Sequence, residues 1–378
     1  MPSRTIDLVA AGPPPSDLYD PAAPAWALAA GLAARGHSVQ VTFPGPKETA
    51  SPAPGVAVAP FPAVTAHVGT FVGDAELGRQ AAHRIRPNAE VILRDPSGLG
   101  PIGFRRGHRP LVSFVRAFAV DTAFDRSGAV PAGVADRLFS WRDRRSVRRL
   151  ERAALQEATA ICCTSTVQRD RLRSEYRIPA ERLRVSPPAV AHGPAPPSRA
   201  AARRRLSVPD DVPLAILLPP AEPATPAAAA PAIEAFQRTR PIFPGARLAV
   251  VGFGEAAGPG VVAVPARDLE TVASAVAAAD VAVAYAPPSG VDPGIILALR
   301  AGVATVVPPT FDLGDGSETA ARRATSADAG DLASVLAELF ADPEGRRLLG
   351  EAGRAFASRF DPERLADELE SAGALAAP

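Results

Sequence analysis

The stretch from Ala278 to Pro309, A-A-D-V-A-V-A-Y-A-P-P-S-G-V-D-P-G-I-I-L-A-L-R-A-G-V-A-T-V-V-P-P, constrains the fold more than any other part of the chain. Val281–Ala286 is a short apolar, β-branched run closed by Pro287 and Pro288, as a buried parallel strand would be. Pro293 suits the first turn of a helix, and Ile295–Arg300 supplies helix formers. Gly302 stands where helix C-termini take a left-handed residue, and Val303–Val307 restarts a strand. This is one βαβ unit. Its loop lies at the carboxyl end of a strand, where open α/β sheets bind ligands.

The same alternation runs through both halves of the chain, so the expected class is α/β, built from two Rossmann-like domains with parallel sheets. In the first half, strands are expected at Ile6–Ala11, Ser38–Phe43, Val56–Phe61, Val91–Leu93, Pro110–Val115 and Ala160–Thr164. Helices are expected at Ala25–Arg35, Ala75–Arg86, Trp141–Ala158 and Thr166–Tyr176. The second half reads as strands at Leu214–Leu218, Arg247–Gly252, Val281–Ala286 and Val303–Val307. Its helices fall at Leu269–Ala279, Asp328–Ala341, Pro343–Phe360 and Pro362–Leu369, beside the one starting at Pro293. With 378 residues, 47% of them apolar, each half can bury a core. The expected division is residues 1–190, a Pro-, Ala- and Arg-rich linker at 191–213, a second domain at 214–360, and a terminal helix at 361–378 that returns to the first domain.

Charge and cysteine content narrow the function. A net charge of +1 gives no whole-chain reason to expect nucleic acid. The Arg-rich helix Trp141–Ala158 interleaves its arginines with Asp143, Glu151 and Glu157, which reads as a solvated face with i,i+4 pairs. Lys47 is the only lysine, so none is available in a ligand cleft unless Lys47 reaches it. Cys162 and Cys163 are adjacent within an apolar strand and read as buried, reduced thiols. There is no signal-peptide pattern and no apolar run of about 20 residues, so a cytoplasmic protein without a transmembrane segment is expected.

P-P-S followed by A-G-V-A-T-V-V in the opening stretch, L-A-A-R-G-H-S-V-Q-V-T-F near the N-terminus, and I-P-A-E-R-L-R-V-S-P-P-A-V resemble the frame of family 4 retaining glycosyltransferases. The resemblance spans nearly the whole chain. It implies the GT-B fold, two domains facing a cleft that takes a nucleotide-sugar donor. It also implies two glutamates, eight positions apart, at the donor sugar and ribose. Aligned through Gly302, those positions hold Ser289 and Leu297. An arginine and a lysine at the donor diphosphate fall on Glu222 and Ala227, and only Gly12 remains of a Gly-Gly pair in the first loop.

What remains as donor-binding candidates is Gly252 and Gly254 in a Gly-rich turn, Ser289, Asp292, Arg300, Glu318 and Arg322, with Arg323 as a further source of charge. Arg94, Asp95 and Arg116 follow strand ends where relatives present histidines. They are the catalytic candidates, with an ion-pair cluster holding the loops as the alternative. His108 lies in a basic turn and is read as solvated. No metal or bound cofactor is expected; a nucleotide sugar, or another small molecule in the cleft, would be the ligand. Two readings of different class follow. One is a homologue without catalysis, acting as a binding partner or scaffold, with a partner glycosyltransferase among its expected partners. The other is an active glycosyltransferase with a remodelled donor site, acting on a small-molecule or glycan acceptor.

Overall fold

The computed structural model describes all residues except 1–2, 16–19, 21, 63–79, 96–108, 116–144, 147, 150, 193–194, 219–225, 253–257, 265–267, 285–291, 310–315, 327 and 372–378. The chain divides into two compact units. The first comprises Met1–Pro15, Pro21–Ala191 and Pro362–Pro378, the second Ser16–Asp20 and His192–Asp361.

In the first unit, seven strands form one parallel sheet in the order β3-β2-β1-β4-β5-β6-β7. They are β1 (Thr5–Ala10), β2 (Ser38–Pro44), β3 (Val56–Phe61), β4 (Val91–Asp95), β5 (Leu111–Val115), β6 (Ala160–Cys163) and β7 (Leu183–Val185). Alternation along the strands divides the core into two layers. Ile6, Leu8, Val91, Leu93, Val112, Phe114 and Cys162 join one cluster with α1 (Ala23–Ala34) and the terminal helix. Val9, Ile92, Leu111, Val115, Ile161 and Cys163 join the other, with Leu155, Leu172 and Tyr176. Cys162 and Cys163 therefore point to opposite faces of β6 and cannot pair. Both are buried free thiols, and burial pushes the Cys163 thiol up to about 12, so Cys163 offers no thiolate.

The helical run at 151–157 and α2 (Thr166–Ser174) lie on the second face; Ser165 caps α2 by accepting from the Gln168 backbone. Much of the helix expected at Ala75–Arg86 lies outside the described residues, which show helix at 80–82.

The second unit holds a six-stranded parallel sheet in the order β10-β9-β8-β11-β12-β13. Its strands are β8 (Leu214–Leu217), β9 (Arg247–Val251), β10 (Val261–Val264), β11 (Val281–Val283), β12 (Ala304–Val307) and β13 (Arg322–Arg323). Before them comes α3 (Arg199–Arg205), inside the segment expected to be a linker. Arg203 explains why this segment is folded. Its fully buried guanidinium donates to the carbonyls of Ala278, Pro209 and Val212 and pairs with Asp280 at 2.7 Å. Asp280 also accepts from the Leu214 backbone and pairs with Arg199, so α3 is fastened to the second unit.

The remaining helices are α4 (Pro226–Thr239), α5 (Leu269–Ala278), α6 (Pro293–Ala301), α7 (Ala329–Ala341), α8 (Pro343–Ala357) and α9 (Pro362–Ser371). In the second unit, α4 and α7 cover one face through Phe236, Leu332, Leu336 and Phe340. The α5 and α6 helices pack on each other and on β8 and β12.

The terminal helix α9 packs on α1 within the first unit. The close approach needs Gly31, where an added Cβ would stand 2.5 Å from the Pro362 carbonyl oxygen. Beside it, Glu370 is held by both Arg35 nitrogens, at 2.7 and 2.9 Å, and by His37 Nε2 at 2.8 Å. His37 Nδ1 accepts the Arg4 backbone N–H, which leaves the ring proton on Nε2 to be donated to Glu370. These bonds hold the Glu370 carboxyl down at about 2 against the opposing effect of its burial.

Candidate functional site

In the second unit, the site expected at the carboxyl ends of β8 and β11 is built around the start of α6. The sequence Asp-Pro-Gly makes that start. Pro293 has no N–H and a fixed φ suited to a first helical position. Asp292 has an extended backbone and caps the helix: one carboxylate oxygen, Oδ1, accepts from Gly294 N at 2.7 Å and Ile295 N at 3.1 Å. A helix N-terminus offers free N–H groups and partial positive charge to an anion. Here a buried carboxylate, 5% exposed, already takes both donors. A phosphate approaching the same point would lose those hydrogen bonds and meet a like charge.

The body of α6 is equally apolar. Ile295, Ile296, Leu297, Ala298 and Leu299 are all buried, with Leu297, at the second expected glutamate position, only 7% exposed. Gly302 ends the helix in the left-handed region at φ +75°. Arg300, in the last turn, does not extend α6 toward a ligand as a spare cation. It pairs with Asp361 at 2.9 Å, and His192 stands 4.0 Å from the same carboxylate.

The other expected donor-side groups are scattered. Gly252 follows β9 with φ +78°, and its N–H is spent on the Val264 carbonyl, which ties β9 to β10. Arg322 and Arg323 form the two-residue edge strand β13, in register with Val306 and Val307. Arg322 pairs with Glu338 at 3.1 Å, both largely exposed, and Arg323 donates to the Pro309 carbonyl. An exposed pair of this kind is worth about 0–1 kcal/mol, so it would not hold Arg322 back from a stronger ligand. Glu318 is exposed just before β13. Gly254, Ser289 and Glu222 lie outside the described residues, and Ala227 falls in the first turn of α4.

In the first unit, Arg94 and Asp95 are the last residues of β4, paired in register with Val9 and Ala10, rather than the start of a loop. Arg94 is fully buried. Its Nε and Nη2 donate to Ser113 Oγ at 3.0 and 2.7 Å, Nη2 also donates to the Ala154 carbonyl, and Nη1 lies 3.5 Å from Glu157. This guanidinium joins β4, β5 and the helical run at 151–157, which corrects its placement at a ligand-facing loop. Asp95 is 1% exposed. Arg116 and His108 lie outside the described residues. Among the described residues no group of three or more His, Cys, Asp or Glu side chains is arranged to hold a metal ion, and no helix is long and apolar enough to cross a membrane.

Sequence reasoning missed the meaning of Asp292. The signal was available: Asp directly before a proline at a helix start is an N-cap pattern.

Comparison with known proteins adds a family match over part of the chain and a fold. Residues 25–193 match the family model described as Glycosyltransferase Family 4. No curated protein sequence matches the chain. Among solved structures, sucrose-phosphate synthase from Thermosynechococcus elongatus superposes with a TM-score of 0.71 at 18% identity, covering 97% of this chain and 98% of that one. WaaG, a glycosyltransferase involved in lipopolysaccharide biosynthesis, gives 0.66 at 15% identity over 99% and 100% of the two chains. Anabaena HepE, solved in complex with UDP and glucose, gives 0.66 at 14% identity over 97% and 98%. Two parallel-sheet α/β units in a single chain, shared with these structures, make the fold GT-B.

Proposed function

Given a chain with the GT-B glycosyltransferase fold and a Glycosyltransferase Family 4 match over residues 25–193, we propose that it is a homologue that has given up sugar transfer and acts by binding, as a partner or scaffold. The observation that carries this reading is the start of α6, where the Asp292 carboxylate occupies the N–H groups that a donor diphosphate would need. Transfer from a nucleotide sugar builds negative charge on the leaving diphosphate, so the groups that meet this charge decide the rate. Buried Leu297 supports the same reading, because a leucine offers no acceptor to a ribose hydroxyl. So does Arg300, engaged with Asp361.

The test is hydrolysis or transfer of UDP-glucose and other nucleotide sugars by the isolated protein. Loss of one transition-state hydrogen-bond donor costs roughly 10²–10³ in rate, so loss of several leaves turnover at the buffer background. Robust turnover by the wild type, abolished by Arg322→Ala or Arg323→Ala, would overturn the reading and identify β13 as a substitute phosphate site. The triple variant Glu222→Arg, Ala227→Lys, Leu297→Glu is the companion measurement. On this reading donor binding returns only when Asp292→Gly is added to it, which frees the Gly294 and Ile295 N–H groups.

A further inference from the structure

In the first unit, far in sequence from α6, the arginines are concentrated. Residues 145–184 hold ten arginines against five acidic residues, in a chain whose net charge is +1. Most of these arginines have an evident structural use. Arg148 and Arg171 both pair with Glu175, Arg169 pairs with Asp170, and Arg182 donates to the carbonyls of Leu155 and Gln156, near the end of the helical run at 151–157. Among the described residues, Arg149, Arg152, Arg173 and Arg177 have no hydrogen-bond or ion-pair partner, and of these four Arg173 and Arg177 stand together at α2 and the turn after it.

Both line one open groove of about 670 Å³. Asp170, Arg173, Ser174 and Arg177 form one wall, spaced as a single stripe of α2 and the turn after it. Pro179 lines the groove further along the chain, and Ile178, itself buried, gives it an apolar floor. The volume is within the range of pockets for small molecules. Asp170 brings a carboxylate to the groove, but Arg169 already neutralises it.

The backbone at Arg177 is the second observation. Its φ is +55°, a left-handed conformation that costs a side-chain-bearing residue roughly 1–2 kcal/mol and that glycine takes freely. A residue leaving the end of a helix in this conformation is ordinarily glycine. Here the position carries a guanidinium, held at the groove.

We propose that this groove is a binding site for a small phosphate-bearing ligand, with Arg173 and Arg177 as its two cationic arms. Guanidinium forks match phosphate oxygens in pairs, and among the described residues no carboxylate forms an ion pair with these two. The groove is built from residues of the first unit alone, and its existence does not depend on whether the protein transfers sugar.

The experiment is calorimetric titration of the full chain with inorganic pyrophosphate, repeated with Arg173→Gln, Arg177→Gly and the double variant. Wild type is expected to bind, and the double variant to bind about tenfold more weakly or worse. Rising salt should weaken binding. Arg177→Gly should melt at the wild-type temperature or above it, because glycine relieves the left-handed backbone, so its lost affinity cannot be ascribed to unfolding. Absence of pyrophosphate binding, or an affinity unchanged in the double variant, would overturn the proposal. Sedimentation with phosphatidic-acid vesicles separates the remaining source of phosphate. Capture by vesicles without binding of soluble pyrophosphate would also overturn it, in favour of a membrane headgroup.

Discussion

Gly350→Ala is expected to destabilise the second unit by about 2–3 kcal/mol, although alanine is the better helix former. Gly350 lies in the middle of α8, where a Cβ would stand 2.1 Å from the Gly302 carbonyl oxygen and 2.9 Å from its carbon. Gly302 is the left-handed end of α6, so the obstacle is backbone that is itself fixed by the helix terminus. No side chain can swing away to relieve the contact. Helix propensity favours alanine by about 1 kcal/mol. Overpacking against backbone costs more than that, and α8 must move off α6 to accept the methyl group. The neighbours confirm how closely the helices meet: Arg354 donates to the Ala301 carbonyl, and a Cβ on Gly353 would lie 2.8 Å from Leu299. Urea unfolding of Gly350→Ala beside Glu351→Ala provides the measurement. Glu351 is exposed and, among the described residues, pairs only with Arg347, so its removal should shift the midpoint little. Equal, small shifts in both would mean that α8 does not press on α6 as described.

Glu370→Gln is expected to cost about 3 kcal/mol, chiefly by loosening α9 from α1. Glu370 accepts from both nitrogens of Arg35 and from His37, and its side chain is 4% exposed. An amide keeps the shape but loses the charge and turns an NH₂ group toward donors. The same contacts predict a pH dependence with a definite sign. The folded carboxyl titrates at about 2, below the ordinary 4.5, so its stabilisation is fully present above about pH 4.5. It is lost as the pH falls from there toward 2. The stability difference between wild type and Glu370→Gln should therefore shrink as the pH falls from about 4.5 toward 2. A difference that does not change on acidification would show that Glu370 gains nothing from being ionised in the fold.

Much of this architecture was legible in the sequence because parallel strands buried on both faces are written as unbroken apolar runs. The β8 strand, buried at all of Leu214–Leu217 where Leu214–Leu218 is expected, is the clearest instance. The segments that escaped are the ones where that signal fails. The β13 strand is two exposed arginines on a sheet edge, with no apolar side chain to betray it. Strand β7 is three residues long with only Leu183 buried. Helix α3 was hidden in a Pro- and Arg-rich segment, because what fastens it is one buried arginine seeking carbonyls and Asp280 rather than an apolar stripe. Arg94 was misplaced for a related reason. Composition suggested a strand ending at Leu93, whereas pairing with β1 carries the strand through Asp95 and takes the guanidinium inside.

At the candidate site, residue identities and the βαβ frame were legible, and side-chain orientation was not. The frame from Val281 to Val307 is a βαβ unit, as its apolar runs and its proline and glycine positions imply. Which way the Asp292 carboxylate turns was not readable from composition alone. Asp before a proline at a helix start favours the cap, and the distances to Gly294 and Ile295 show that the carboxylate takes that role.

The central claim, that the donor site no longer receives a nucleotide diphosphate, is tested most directly by calorimetric titration with UDP, UDP-glucose and a panel of other nucleotide diphosphates. The chain to use carries Arg173→Gln and Arg177→Gly, so that diphosphate bound at the basic groove of the first unit contributes no heat. The prediction is a dissociation constant weaker than about 1 mM for every compound. Binding of any of them at about 10 µM or tighter, lost when Arg322 and Arg323 are replaced by alanine, would contradict it.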